Sequence, residues 1–357
     1  MSLLRLPALV DPHVHLREPG ATYKEDFDSG TAAALAGGFS CVLDMPNNTP
    51  PITDAETFAH KVSAAQRHAR CDYGIYLGAG TDNVESAASL ARQASGLKMY
   101  LDQTFGPLRL DDLHTLVAHA ERWPAECPLL CHAEGRTVAA AILAAHLAGR
   151  SIHICHVSRQ EEIELIRKAK EKGIDVTCEA TPHHLFLSQD DIPHLGERRA
   201  EVRPRLATAA DRAALRANLE VIDCFATDHA PHTLAEKDSL QAPPGFPGLE
   251  TALPLYLALV EEGLLTLDQM VEKTAHAPRR IFRLPEPADS WVEVDLDAVW
   301  TVRGAELQTR SHWSPFEGRQ LRGRVNRVVL RGKVLVDSSQ VVAPPGSGQN
   351  ISELSTQ

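Results

Sequence analysis

Two imidazoles at alternate positions, His13 and His15 in Asp-Pro-His-Val-His, end a short apolar run from Leu3 to Val10. Alternate residues of a strand share a face, so both rings can reach one metal ion. Comparable polar groups stand at the ends of later apolar runs. They are Lys98 in Gly-Leu-Lys-Met-Tyr, His132 in Leu-Leu-Cys-His-Ala-Glu, His156 in Ile-His-Ile-Cys-His-Val and Asp228 in Phe-Ala-Thr-Asp-His-Ala-Pro-His. Each has an ordinary explanation by itself: a core histidine satisfied by backbone, a helix cap, or a lysine reaching solvent from a strand end. Six such groups at the same end of successive strands point instead to a metal centre at one end of a barrel.

His13, His15 and Asp228 suit one divalent ion, and His132 with His156 a second. Two cations held close together need an anionic bridge, which a free ammonium cannot supply. Lys98 can serve only if modified, for example carboxylated to a carbamate whose two oxygens take one metal each. Such a pair generates a bridging hydroxide near neutral pH and polarises a carbonyl, which is equipment for hydrolysis. Asp228 can take a proton from the attacking hydroxide and deliver it to a leaving amide nitrogen. Arg17, Asn47 and His232 lie close to these motifs and would select what is hydrolysed. The fork of Arg17 suits a carboxylate, its alternative being a surface ion pair with Glu18 or Glu25. His153, His183, His184 and His229 are expected to be structural or to orient ligands, His229 beside Asp228.

The elements that must carry these groups follow the rhythm of parallel βα units. Eight strand-like runs are expected at 8–15, 40–45, 71–78, 96–101, 128–132, 151–156, 175–179 and 221–228. Helices are expected at 29–37, 110–120, 137–148, 159–172, 250–263 and 267–274. The fold class is therefore α/β, a (β/α)8 TIM-type barrel over residues 8–290. Alternating runs at 291–302 and 325–337 predict a small β appendage over 291–342, joined by residues 1–7. Residues 343–357 read as a linker-like tail. The loops 102–107 and 241–248 are candidate mobile elements over the site.

A chain of 357 residues with 43% hydrophobic content can bury one large core. The net charge of −11, with no long basic run, argues against nucleic acid as partner. Seven scattered cysteines suit a reducing compartment, and no apolar run approaches the ~20 residues that cross a bilayer. A cytoplasmic protein with no membrane partner is expected.

Taken together, His-Val-His-Leu-Arg-Glu-Pro-Gly, Met-Pro-Asn, Gly-Leu-Lys-Met-Tyr, Cys-His-Ala-Glu, Ile-Cys-His-Val, Pro-His-His-Leu and Thr-Asp-His-Ala-Pro-His resemble the dihydroorotases of the amidohydrolase superfamily. The likeness is nearest to the dihydroorotase domain of the multifunctional animal protein that begins pyrimidine synthesis. It also takes in Pro-Pro-Gly-Phe-Pro-Gly-Leu-Glu and His-Trp-Ser-Pro-Phe-Glu-Gly near the C-terminus. The resemblance implies a zinc-dependent, reversible interconversion of N-carbamoyl-L-aspartate and (S)-dihydroorotate. It implies that His13, His15, carboxylated Lys98 and Asp228 hold one zinc, and Lys98, His132 and His156 the other. It places substrate against Arg17, Asn47, Arg203, His232 and the Pro244 region, and implies a flap carrying Thr104 and Phe105. It further implies a third zinc on Cys155, His156 and Glu179, and a homodimer that could form part of a larger polypeptide. Two alternatives stand beside it: a hydantoinase-like or allantoinase-like hydrolase of another cyclic amide, and a non-catalytic scaffold on the same fold.

Overall fold

Parallel strands buried on both faces need helices outside and packed side chains inside, and this computed structural model, which describes residues 2–354, has that arrangement. After β1 (Leu3–Pro7) come β2 (Leu9–Val14), β3 (Phe39–Asp44) and β4 (Asp72–Ile75), paired in parallel. A second parallel ladder joins β5 (Leu77–Gly78), β6 (Leu97–Tyr100), β7 (Leu129–His132), β8 (Ile152–Ile154), β9 (Val176–Ala180) and β10 (Cys224–Phe225). The expected run 71–78 is split at Tyr76, whose N–H bonds Asp44 O while that of Leu77 bonds Gly96 O. At that residue the strand changes partner, linking the two ladders. The ring closes between its first and last strands, where His15 N donates to His229 O at 2.8 Å.

The eighth strand is much shorter than the run 221–228 from which it was expected. Asp11 is the reason. Its carboxylate accepts from the Thr227 N–H at 3.1 Å and from the Thr227 hydroxyl at 2.5 Å, replacing ladder bonds with side-chain bonds. Outer helices begin where side chains can cap them: Asp26, Asp54 and Asp112 each accept from N–H groups of the first turn. The cap at Asp112 is why the helix expected from residue 110 runs from Leu113 to Arg122. The expected helix 267–274 continues past Val271 as a turn of π-helix over Glu272–His276. Inside the barrel, Val10, Leu43, Tyr76, Leu130 and Phe282 form an apolar floor beneath the ligands.

The appendage is an antiparallel sheet in which β1 pairs with β11 (Trp291–Thr301), followed by β12 (Gln320–Leu330), β13 (Lys333–Asp337) and β14 (Gln340–Val341). The single run expected at 325–337 is a hairpin. Arg331 and Gly332 both have positive φ, 49° and 72°, which turns the chain in two residues. Residues 343–354 correct the expectation of a linker. Gly348 N bonds Ala69 O at 2.9 Å, Tyr73 N bonds Gln349 O at 3.0 Å, and the following turn of helix buries Ile351. Gly348 passes so close to Cys71 that a Cβ would stand 1.9 Å from its carbonyl oxygen, so only glycine fits. Residues 355–357 of the expected tail lie outside the described residues. No helix among the described residues is long and apolar enough to cross a membrane.

Candidate active site

Strand parity brings most of the predicted donors to one end of the barrel. His13 in β2 alternates with His15 one residue past its end, Lys98 with Tyr100 along β6, and His153 in β8 with Cys155 just past its end, while His132 ends β7 and Glu179 sits near the end of β9. All of these side chains are buried. His15 Nε2 lies 3.0 Å and His13 Nε2 3.3 Å from Asp228 Oδ1. His132 Nδ1 lies 2.9 Å from His156 Nε2, and the His156 ring is centred 5.2 Å from that of His13. The Lys98 ammonium donates to Cys155 Sγ at 2.8 Å and stands 5.2 Å from the centre of the Tyr100 ring.

Three residues of the site leave the ordinary backbone regions. Arg17, His156 and Asp228 have φ of 62°, 36° and 48°, where a side chain is strained and local structure must hold it. For His156 the consequence is visible. Its parity would turn it away from the barrel interior, and the left-handed turn brings its imidazole to His132 instead. Cys155 keeps the inward parity of His153 and meets Lys98. The third group of donors therefore differs from expectation: His13, Cys155 and Glu179 bring ligand atoms within 4.8 Å of one another, as do His13, His15 and Asp228. His13 takes the place given to His156. Its Nδ1 faces Glu179 Oε1 at 2.5 Å while its Nε2 faces Asp228.

These donors have the chemistry of a metal shell. Burial, with help from the Lys98 charge, pulls His13 down to about 4. Burial likewise holds His15 and His156 well below the usual histidine range. All three imidazoles are thus neutral at pH 7, with lone pairs to offer. His156 Nδ1 is buried without a hydrogen-bond partner among the described residues, a cost that an ion would remove. Burial raises the Asp228 carboxyl, opposed by His13 and Lys98. For Glu179 burial also acts upward, but His13 and His153 outweigh it and hold the group low. His153 donates one ring nitrogen toward Glu179 Oε2 at 3.1 Å and sets the other against Thr177 Oγ1 at 2.8 Å, an orienting role. His229 accepts the Gly248 N–H at Nδ1, 3.1 Å away, and so ties the chain beyond Asp228 to the start of the helix Leu249–Glu261.

Arg17, Asn47, Thr104, Phe105, Arg203 and Pro244 line a cavity together with His13, His15, His132, His156 and Asp228 of this cluster. Asn47 connects the two sides, its Oδ1 2.7 Å from His15 Nδ1 and its Nδ2 donating to Phe105 O at 3.1 Å. Arg17 does not pair with Glu18 or Glu25. Its Nε donates to Pro231 O at 3.1 Å and its Nη2 lies 3.1 Å from His232 Nε2. Glu18 instead accepts from Phe27 N and faces His68, and Glu25 is engaged by Thr309 and Ser29. Arg203 lines the wall beside Glu201, with which it forms an ion pair. His232 stands behind Arg17 and outside that wall, between Lys24 Nζ at 3.1 Å and Pro244 O at 3.0 Å.

Several participants were missed. Tyr100 lines the cavity, and its parity with Lys98 could have found it. Lys61 left no such signal: it is fully buried, pairs with Asp44 at 2.8 Å and donates to Met45 O and Asn48 Oδ1 on either side of Asn47.

Comparison with known proteins adds to this geometry. The sequence profile of the Amidohydrolase family matches residues 4–335. The Multifunctional protein CAD of Squalus acanthias is 52% identical over 98% of this chain, which spans only 16% of that protein's length. The Dihydroorotase of Pyrococcus furiosus is 34% identical over 95% of this chain and 83% of its own. Among solved structures, the L-Hydantoinase (Dihydropyrimidinase) from Arthrobacter aurescens superposes with a TM-score of 0.91 at 25% identity, covering 98% of this chain and 88% of that one.

Proposed function

From the premise that the chain belongs to the amidohydrolase family, we propose that it is a dihydroorotase, interconverting N-carbamoyl-L-aspartate and (S)-dihydroorotate in pyrimidine synthesis. The observation that carries this reading is one cavity lined both by a wall of buried histidines with Asp228 and by a wall bearing Arg17 and Arg203. The first wall suits hydrolysis of an amide, and the second a substrate bearing a carboxylate.

His13, His15 and Asp228 would hold one zinc and His132 with His156 another, and Lys98, as a carbamate, would supply the anionic group that two such cations need. When bound, such ions supply a nucleophile at neutral pH and polarise the scissile carbonyl. The chain's own residues do the rest. Asp228 Oδ1 stands within 3.3 Å of both His13 and His15, a position suited to accepting a proton and returning it to the ring nitrogen that leaves. Arg17, turned by its left-handed backbone and held by Pro231 O, orients the substrate carboxylate. The loop bearing Thr104 and Phe105, fastened by Asn47, excludes water from the pocket. His13, Cys155 and Glu179 would hold a third zinc, for which His13 would have to give up its remaining ring proton and bind as an imidazolate. Metal analysis should then give close to three zincs per chain and two in Cys155→Ser.

Ring closure consumes a proton, so the equilibrium ratio of dihydroorotate to carbamoyl aspartate should fall about tenfold per pH unit as pH rises above neutrality. A ratio indifferent to pH in reactions run with this protein would contradict the assignment. The likeness to a hydantoinase favours a second reading, hydrolysis of an uncharged ring, which needs no arginine in the wall. Equal handling of dihydrouracil and dihydroorotate would move the assignment there. A cytoplasmic homodimer, working within a longer multifunctional polypeptide, is the setting that goes with the first reading.

A further inference from the structure

We propose that Lys237 is a positioning residue for the substrate wall, its ammonium gathering the main-chain carbonyls of Glu201, Pro243 and Gly245 so that Arg203 and Pro244 are held opposite the metal ligands. The inference rests on the reading above in one respect, that this wall binds the substrate.

Lys237 closes the short helix Leu234–Lys237, which starts two residues after His232, and its side chain is fully buried. Its Nζ donates at 2.6 Å to Glu201 O, 3.0 Å to Pro243 O and 3.2 Å to Gly245 O. An ammonium has three protons, and each has an acceptor here. No carboxylate among the described residues pairs with it, that of Glu201 turning to Arg203 and Arg205. The rings of Phe246 and Trp313, centred 5.4 and 5.6 Å away, close the remaining sides. The charge is thus spent on backbone dipoles belonging to two segments distant in sequence. One segment carries Arg203 two residues after Glu201, and the other carries Pro244 between two of the acceptors.

The two segments also touch each other, which makes the knot specific. Gly245 N donates to Glu201 O at 3.1 Å, the same oxygen that Lys237 engages. Gly245, at φ +144°, lies so close to Ala230 that a Cβ would stand 2.4 Å from its carbonyl oxygen. Ala230 and Gly245 both line the cavity, so a shift of this loop alters the wall directly. A neutral side chain would leave buried carbonyls unpaired, and the loop would move to regain partners. Burial draws Lys237 down to about 7, with Glu201 acting upward and Arg17 downward.

The test is Lys237→Met, measured for metal content, kcat and KM with dihydroorotate, beside Lys273→Met as control. Lys273 is also buried, but it donates to Ile222 O just before β10, away from the wall. Lys237→Met should keep its metals and raise KM about tenfold while kcat changes less than about threefold, the signature of lost binding geometry. Lys273→Met should lose stability without moving KM. Where the methionine variant does not fold, Lys237→Gln, which keeps two donors, reads the same split. A folded, metal-replete Lys237 variant with unaltered KM would overturn the proposal, as would an equal rise in Lys273→Met. Absence of turnover in the unmodified protein would instead sink the dihydroorotase reading itself.

Discussion

The two walls of the cavity are held in place by different means. His13, Lys98, His132 and Glu179 come from four parallel strands at inward positions, and the ladder that spaces those strands also spaces their donors. Arg17, Asn47, Phe105, Arg203 and Pro244 come from loops, where no ladder exists. Their places depend on side chains bonded to main-chain carbonyls: Arg17 to Pro231, Asn47 to Phe105, Lys61 to Met45, Lys237 to Glu201, Pro243 and Gly245. The strand wall is therefore preorganised by the fold itself. The loop wall is preorganised by these bonds, those of Lys61 and Lys237 coming from residues that do not line the cavity. Damage to the first should appear in metal content and kcat, and damage to the second in KM.

The largest effect is expected at Lys98, the one member of the strand wall whose chemistry needs a modification. Lys98→Ala removes the bridge and should abolish turnover with loss of metal, short carboxylic acids restoring part of the rate. Metal analysis alongside activity checks this. Near-full turnover with both metals retained would break the division between the walls at its strongest point. Asp228→Asn comes next, with kcat lower by ~10²–10⁴-fold and KM little changed. A rise in KM without a fall in kcat would place Asp228 with the loop wall.

Much of the strand wall was legible in the sequence, because period two is a property of the strand and not of its surroundings. His13 with His15, and Lys98 at a strand end, need no tertiary information. What escaped were the places where the backbone leaves the strand. The left-handed turn at His156 reverses its parity and takes its ring to His132, so that Cys155 and Glu179 group with His13, while Glu179 keeps only the His156 backbone N–H. Asp11 shortens the last strand by taking Thr227 as a side-chain partner, a contact between residues 216 apart in sequence. Residues 343–354 read as linker because their composition is that of a loop, yet their backbone bonds Ala69 and Tyr73 along an edge that no local pattern reveals. In the loop wall, residue types were suggestive and their supports were not. Nothing in Leu-Ala-Glu-Lys shows that its lysine turns inward.

Arg17 sharpens the comparison from the substrate side. Its guanidinium is buried, and burial pulls it down to about 10, still charged at neutral pH. Arg17→Ala should raise KM for dihydroorotate by about 10–100-fold, the worth of a hydrogen bond to a charged group, with the metals undisturbed. Arg17→Lys should recover only part of this, since an ammonium cannot make the fork. Steady-state kinetics with dihydroorotate and dihydrouracil measure both, and only the charged ring should be affected. An equal loss on the neutral ring would mean that Arg17 serves the fold of the loop and not the carboxylate.

The smallest effect is expected at Phe105, because the loop wall uses its backbone more than its ring. Asn47 fastens the loop through the Phe105 carbonyl, a bond that any residue can offer. The ring itself stands 5.2 Å from the Arg17 guanidinium, 5.0 Å from the Lys24 ammonium and edge-on to His232 at 5.3 Å. Those contacts are partly open to solvent, where a cation over an aromatic face is worth ~0.5–1 kcal/mol. Phe105→Leu should therefore raise KM only about 2–5-fold and leave kcat and metal content as they are. Asn47→Ala removes the fastening bond and also frees His15 Nδ1, 2.7 Å away, so it should disturb both walls at once. If Phe105→Leu proved as harmful as Asn47→Ala, the ring and not the carbonyl would hold the loop, and the claim that main-chain acceptors organise this wall would fail at the residue nearest the substrate.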